Sequence, residues 1–199
     1  MIYLVRHGQT ATNRDGRIQG QSDPPLTHVG RRQAAALAAV LPEGAPIVCS
    51  PLLRARETAA AVGGDADRPL TIDARWIELD YGDFEGQPIA DVRPSIWDNW
   101  LTDTHWRPPN GESLASVAAR VTDACNELHA RADQDVIVVT HVNPIKLAVA
   151  WALQAPPQIV LRLFVELASI TTIGTGHGGQ PVLTRFSSLP GSGTGGTGG

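Results

Sequence analysis

The sequence of 199 residues contains few cysteines and no long apolar run. Cys49 and Cys125 each lie in an apolar stretch, which favours two buried free thiols over a disulfide. No run of about 18 apolar residues is present, so we expect no membrane-spanning helix. The first residues also lack the basic and long apolar regions of a signal peptide. These absences predict a cytoplasmic protein that does not associate with a membrane.

An excess of positive charge is absent as well. The chain has 16 basic and 20 acidic side chains and a formal net charge of −4, which argues against nucleic acid as a partner. Metal-ligand spacings such as HExxH or CxxC are missing, and the glycine-rich GTGHGG segment lacks the GK[ST] of a P-loop. We therefore expect no metal and no cofactor, and the sequence leaves the oligomeric state open.

Apolar patterning predicts alternating strands and helices, which indicates a three-layer α/β/α sandwich with a mostly parallel central sheet. The expected strands are 2–5, 46–49, 70–73, 136–139, a broken strand over 160–173, and 181–187. The expected helices are 27–41, a helix opened by Ser50-Pro51, 113–131 and 144–154. Residues 1–189 should form one domain, and the Gly/Ser/Thr-rich residues 190–199 a disordered tail.

Residues 83–112 are rich in proline and tryptophan, and we predict an irregular segment here. Its three tryptophans could belong to the core, but in an irregular segment we favour a partly exposed substrate lid. They are Trp97, Trp100 and Trp106. Arg93 and Arg107 in the same segment would then add specificity for an anionic substrate.

Two histidines and two arginines follow three of the predicted strands. Because sites in such folds lie beyond the carboxyl ends of the strands, Arg6, His7, Arg54 and His141 should converge. Arginine forks match the oxygens of a phosphate monoester, and His141 adds a charge if it is protonated. A neutral His7 could attack phosphorus and form a phosphohistidine. The arginines would lower the pKa of His7, and a backbone carbonyl would fix its tautomer.

The leaving oxygen of a phosphate ester needs a proton, and an acidic segment supplies candidates for the donor. Residues 76–86 contain Glu78, Asp80, Asp83 and Glu85. A general acid must keep its proton at the working pH and could then act as base toward water. The residue types alone leave the choice among these four carboxylates open.

Five motifs resemble those of the histidine phosphatase superfamily, which includes cofactor-dependent phosphoglycerate mutases. The resemblance extends from residue 2 to about 187. The motifs are the RHG signature in Leu4–Thr10, the second arginine motif in Ser50–Ala59, the acid motif in Glu78–Gly86, the GES segment Gly111–Ser113, and Thr140-His141. Their order along the chain is that of the family, so we expect a phosphoglycerate mutase-like fold.

The resemblance implies a role for each matching residue. His7 would be the nucleophile, Glu78 the proton donor, and Arg6, Arg54 and His141 the phosphate pocket, with further phosphate contacts at Gly8, Asn13 and Val142. Many members carry glycine where this chain has Val142, which leaves the local loop geometry open.

The function implied is metal-independent hydrolysis of a small phosphorylated metabolite, with phosphate or sulfate able to occupy the pocket. The alternatives are a phosphoglycerate mutase, which transfers the phosphoryl group to a second substrate, and a non-catalytic sensor of phosphorylated ligands.

Overall fold

A six-stranded sheet forms the centre of the fold, which is described by a computed structural model over residues 1–63, 68–131 and 134–191. The strands are β1 (Ile2–Arg6), β2 (Ile47–Cys49), β3 (Leu70–Ile72), β4 (Val136–Thr140), β5 (Ile170–Thr175) and β6 (Pro181–Ser188). Their order is β3-β2-β4-β1-β5-β6. The first four in this order are parallel, and β5 and β6 are antiparallel to their neighbours. The predicted mostly parallel sheet is therefore confirmed.

Helices cover both faces of this sheet. They are α1 (Ala11–Arg14), α2 (His28–Leu37), α3 (Leu53–Gly63), α4 (Ile89–Thr102), α5 (Leu114–His129) and α6 (Val142–Ala152). One core packs α2 and α3 against Val5, Ile137 and Val139. A second core packs α4, α5 and α6 against Leu4 and Val138 on the opposite face. The neighbours Leu4 and Val5, which point to opposite faces, thus enter different cores, and the three-layer sandwich is confirmed.

The prediction of an irregular segment over 83–112 is wrong, because this segment contains the 14-residue helix α4. Ile89, Val92, Ile96 and Trp100 recur at helical spacing, and the last three are buried in the core. Pro94 lies inside the helix, where proline removes a backbone hydrogen bond. Burial of this apolar face evidently outweighs the cost of the proline.

Three smaller predictions also differ from the structure. Residues 157–162 form a 3₁₀ turn, and the strand begins only at Ile170, so the strand predicted from residue 160 is wrong over its first part. The helix α3 begins at Leu53, not at Ser50-Pro51. The helix α6 begins two residues before the predicted start at 144, directly after His141.

Other expectations concern the thiols, the turn and the tail. Cys49 and Cys125 are buried free thiols, as predicted. The GTGHGG segment connects β5 and β6 as an antiparallel hairpin. No helix within residues 1–63, 68–131 and 134–191 is long and apolar enough to cross a membrane. The predicted disordered tail falls largely on residues 192–199, outside the described residues.

Candidate active site

The carboxyl ends of three parallel strands bring the predicted residues together. Arg6 ends β1, Thr140 ends β4, and Ser50 follows β2. The chain stays in register beyond the strands, because the His7 N–H donates to the Thr140 carbonyl at 3.0 Å. His7 and His141 therefore leave the sheet side by side, and their ring centroids are 5.1 Å apart.

The orientation and charge of His7 are set by its surroundings. Its Nδ1 lies 2.7 Å from the Gly8 carbonyl oxygen, which can only accept, so Nδ1 carries the hydrogen. The unprotonated Nε2 then accepts from Arg54 Nε at 3.3 Å. Burial, together with the Arg54 and Arg6 charges, lowers the pKa of His7 well below its ordinary value. In the empty site His7 is thus a neutral imidazole with a lone pair on Nε2.

Arg54 is held rigidly behind His7. It comes from the first turn of α3, is 1% exposed, and donates to the carbonyls of Gly20 at 2.6 Å and Ser22 at 2.8 Å. The Glu85 carboxylate holds the same loop, since it accepts the backbone N–H of Ser22 at 2.9 Å and that of Gln21. Burial lowers the pKa of Arg54 to about 10, which still leaves a cation at neutral pH.

Arg6 and His141 each present a buried nitrogen without a hydrogen-bond partner in the part of the chain that the structure describes. These nitrogens are Arg6 Nε and His141 Nδ1. Arg6 is fixed by a 2.6 Å bond to the Val165 carbonyl, and His141 Nε2 lies 2.7 Å from the Ser50 hydroxyl. Unpaired buried nitrogens are costly and mark a place where a ligand can bind.

Burial and the Arg54 charge, followed by weaker effects of His7, Arg6 and Arg120, lower the pKa of His141 well below its ordinary value. His141 is therefore neutral in the empty site. The expected third positive charge is absent there until an anion raises this pKa.

Among the four candidate acids, Glu78 is the one that lines the same cavity as His7. Its side chain is buried at 4% exposure. Oε1 accepts from the Leu79 N–H at 2.7 Å and from the Asn143 side-chain amide at 3.0 Å. Asp80 and Asp83 instead accept hydrogen bonds from Gly82 and Asn110, away from the cavity lining. Glu85 accepts backbone hydrogen bonds from Gln21 and Ser22 in the loop beside Arg54.

The other predicted phosphate contacts divide into two groups. Asn13 and Val142 line the cavity in front of His7. Gly8 does not line it, because its N–H donates to the Thr58 hydroxyl at 3.1 Å and its carbonyl is bonded to His7. A direct phosphate contact at Gly8 stays a prediction, and in this structure the Gly8 carbonyl holds His7 Nδ1.

A cavity of about 200 Å³ is lined by Arg6, His7 and Glu78, whereas Arg54 and His141 are outside its lining. This volume limits a ligand to a small molecule. The lining also includes apolar side chains of α4 and of residues 160–165, in and just after the 3₁₀ turn at Pro157–Arg162. Lining residues that the sequence did not single out include Gln19, Tyr81, Asn143, Lys146 and Phe164. Asn143 and Lys146 lie just after the second histidine motif, and Tyr81 lies within the acid motif. These positions were the available signals.

The three tryptophans predicted to form a partly exposed substrate lid have different positions, and the lid itself stays a prediction. Trp97 and Trp100 line the cavity, but Trp100 is 2% exposed and belongs to the core. Trp106 packs against the core outside the cavity lining. Arg93 lines the cavity with its guanidinium 4.5 Å from the Trp97 ring centroid, whereas exposed Arg107 does not.

Comparison with protein families gives a match over nearly the whole chain. The profile of the histidine phosphatase superfamily (branch 1) matches residues 2–188. A bifunctional protein of Mycobacterium tuberculosis is 35% identical over 177 residues, which cover 85% of this chain and 49% of that protein. This chain thus spans about half the length of the first curated relatives that it matches.

Other relatives match over most of their length. A glucosyl-3-phosphoglycerate phosphatase of Mycolicibacterium vanbaalenii is 37% identical over 168 residues, covering 78% of this chain and 75% of that protein. A probable phosphoglycerate mutase of Yersinia enterocolitica is 34% identical over 182 residues, covering 86% and 83%.

Solved structures agree with this comparison. A phosphoserine phosphatase from Entamoeba histolytica, in complex with 3-phosphoglyceric acid, superposes with a TM-score of 0.84 at 28% identity, covering 94% of this chain and 96% of that chain. A mycobacterial glucosyl-3-phosphoglycerate phosphatase in complex with vanadate superposes with a TM-score of 0.81 at 34% identity, covering 94% and 98%.

Proposed function

Since this chain belongs to the histidine phosphatase superfamily, we propose that it hydrolyses small phosphate monoesters through a phosphohistidine on His7. The observation that carries the proposal is the state of this ring. Its Nδ1–H is held by the Gly8 carbonyl, and its Nε2 lone pair meets the Arg54 guanidinium 3.3 Å away. A neutral nucleophile is thereby placed beside a fixed cation that binds the phosphoryl group.

The phosphoryl group would lie between His7 and the unpaired donors. Arg6 Nε and His141 Nδ1 supply hydrogen bonds to its oxygens, and the N-terminus of α6 at Val142 adds a favourable dipole. Asn13 lines the same space. A bound dianion raises the pKa of His141, which then becomes the third cation of the pocket.

The reaction proceeds in two displacements. The Nε2 lone pair of His7 attacks phosphorus, the bond from phosphorus to the ester oxygen breaks, and that oxygen takes its electron pair and a proton from Glu78. Water then attacks the phosphohistidine and gives a proton to the Glu78 carboxylate, while the bond from phosphorus to Nε2 breaks. Inorganic phosphate leaves, and both side chains return to their starting states.

Small phosphorylated metabolites are the proposed substrates. The cavity of about 200 Å³ is below the volume of a typical drug-sized site and favours a small ligand. The related structures named above hold 3-phosphoglyceric acid and vanadate, which are ligands of that size and chemistry. We propose that no metal takes part, because the cations and the nucleophile of the reaction are side chains, and we retain the cytoplasm as the predicted compartment.

The test compares His7→Ala with His105→Ala, a change at an exposed histidine outside the cavity. The wild type should release phosphate from p-nitrophenyl phosphate with EDTA present. After quenching during turnover, it should carry an acid-labile phosphoryl label, as expected of a phosphohistidine. His7→Ala should lose turnover and label, while His105→Ala keeps both. Inhibition by EDTA that added metal reverses would contradict the metal-independent mechanism.

Two other outcomes would replace the proposal with a different function. Efficient phosphoryl transfer primed by bisphosphoglycerate, with little release of phosphate, would identify a mutase. Tight binding of phosphate esters without any turnover on a broad panel between about pH 5 and 8 would identify a sensor, since a general acid and a histidine nucleophile should be active in this range.

A further inference from the structure

Lys146 is the only lysine among the 199 residues, and it lines the candidate cavity. It projects from α6, five residues after His141, and is half-buried. Its Nζ donates to the Val160 carbonyl at 2.9 Å. An ammonium group has three hydrogens to donate, so this bond leaves two that are available to a ligand in the cavity.

The charge of Lys146 is poorly compensated by the protein. Among the described residues it forms no ion pair, and neither do the other cavity cations outside the phosphate pocket, Arg17 and Arg93. Glu78 is the single carboxylate in the lining. Burying an ammonium group without a countercharge is unfavourable, so an anionic group supplied by a ligand would relieve this cost.

The electrostatics of Lys146 agree with this geometry. Burial lowers its pKa to about 8, an effect that Glu78 opposes and that the Arg6 and Arg93 charges reinforce. The two arginines are the cations that act on Lys146, one from the phosphate pocket and one from α4. Lys146, Arg6 and Arg93 therefore give the cavity a positive potential that Glu78 offsets only in part.

We propose that Lys146 binds a carboxylate on the substrate, so that the preferred substrates are phosphate monoesters with a second anionic group remote from phosphorus. This inference rests on the proposed phosphatase function and deepens it. Trp97 and Phe164 also line the cavity and provide apolar contacts for the atoms that connect the two anions. The carboxylate accepts hydrogen bonds from Lys146 Nζ, with Arg93 as a second cation nearby.

A pair of substrates that differ in one charge tests the proposal. The para-carboxymethyl and para-carbamoylmethyl derivatives of phenyl phosphate have similar shapes and leaving groups, but only the first is a carboxylate. The wild type should prefer the carboxylate in kcat/KM by at least about tenfold, the range of a charged hydrogen bond, and mainly through KM. Lys146→Met should remove this preference, and Lys146→Arg should retain it.

Because the chain has one lysine, binding can be followed without turnover. In the His7→Ala variant, isotope-labelled at lysine Cε, one side-chain NMR signal reports Lys146. The carboxylate ester should shift this signal and raise its titration midpoint more than the amide ester does. If this response is observed but the wild type hydrolyses no phosphate ester, the proposed function is overturned and this inference stands.

Three results would overturn the inference itself. The wild type could hydrolyse both esters equally well, or both esters could shift the Lys146 signal equally. Lys146→Met could also slow both esters by the same factor, which would make Lys146 a structural tether for Val160. Parallel turnover of p-nitrophenyl phosphate in each variant shows whether the phosphate pocket is intact.

Discussion

Arg54 Nε and His7 Nε2 lie 3.3 Å apart, so a buried guanidinium donates to the nitrogen that we propose as nucleophile. The contact favours a neutral His7 in the empty site, because the Nε2 lone pair accepts the hydrogen bond from Arg54. A phosphate oxygen that binds Arg54 would compete for the same donor. Binding of the phosphoryl group would thus release the nucleophile at the moment when it is needed.

Replacement of Arg54 should therefore impair chemistry more than folding. We expect Arg54→Met to lower kcat/KM for p-nitrophenyl phosphate by about 100- to 1000-fold, the effect of losing one donor to developing negative charge. Arg56→Met is the matched control, because Arg56 is exposed on the same helix. Steady-state kinetics of the two variants test this prediction. A similar loss of kcat/KM in both variants would contradict the role of Arg54.

Glu78→Gln should have an effect that depends on the leaving group. Alkyl phosphates leave as strongly basic alkoxides and should slow by about 100- to 10,000-fold, the usual contribution of a general acid. The loss for p-nitrophenyl phosphate should be much smaller, because nitrophenolate leaves without a proton. Asp83 is another candidate acid in the same motif and is exposed. Asp83→Asn should leave the dependence of the rate on leaving-group pKa unchanged. An equal loss on every ester would exclude Glu78 as the acid.

Stability should fall when the ligand-free protein is acidified. The pKa values of His7 and His141 are lowered in the folded state, whereas in the unfolded chain they are about 6.5. Below this pH the unfolded state binds more protons, so acid favours unfolding, and the stability returns as the pH rises toward 7. Thermal unfolding of His7→Gln should show a shallower pH dependence between about pH 7.5 and 5 than the wild type.

Exposed His105 provides the control for this pH effect. His105→Gln should reproduce the wild-type slope of melting temperature against pH. Added inorganic phosphate should flatten the slope in the wild type, because a bound anion stabilises the protonated histidines. A His7→Gln slope as steep as that of the wild type would show that other groups cause the acid sensitivity.

Much of the fold was predictable because local patterns and burial agree. The VIVV run of β4 is buried on both faces, and Thr27 and Ser113 cap α2 and α5 as their positions suggest. The apolar spacing of α4 was also present in the sequence. Pro94 and the clustered tryptophans obscured it, since a proline inside a helix usually argues against the helix.

The site was predictable where residues directly follow strands, and less so elsewhere. Arg6, His7 and His141 leave the sheet at one edge, a consequence of parallel order alone. Lys146 and Trp97 line one cavity because α4, α6 and the 3₁₀ turn at Pro157–Arg162 meet there. No local pattern in the sequence encodes that meeting of distant segments.

Gly8 offers a further prediction, because the space around it is occupied by backbone. A Cβ atom at Gly8 would lie 2.4 Å from the carbonyl oxygen of Gly30 in α2. The close contact would be with backbone atoms, so relieving it requires a shift of the segment after β1 relative to α2. We expect Gly8→Ala to reduce the free energy of unfolding by about 1–3 kcal/mol, as overpacking does, and to lower kcat by displacing the Gly8 carbonyl from His7 Nδ1.

Gly174→Ala in β5 is the control for this change, since a Cβ there would make an ordinary contact 3.4 Å from the Thr184 side chain. Denaturant unfolding and kinetics should show a smaller loss of stability and unchanged kcat for this variant. If Gly8→Ala kept full activity at reduced stability, the Gly8 carbonyl would not be what orients His7. If Gly8→Ala also kept full stability, the close approach of α2 would not be the reason that this position requires glycine.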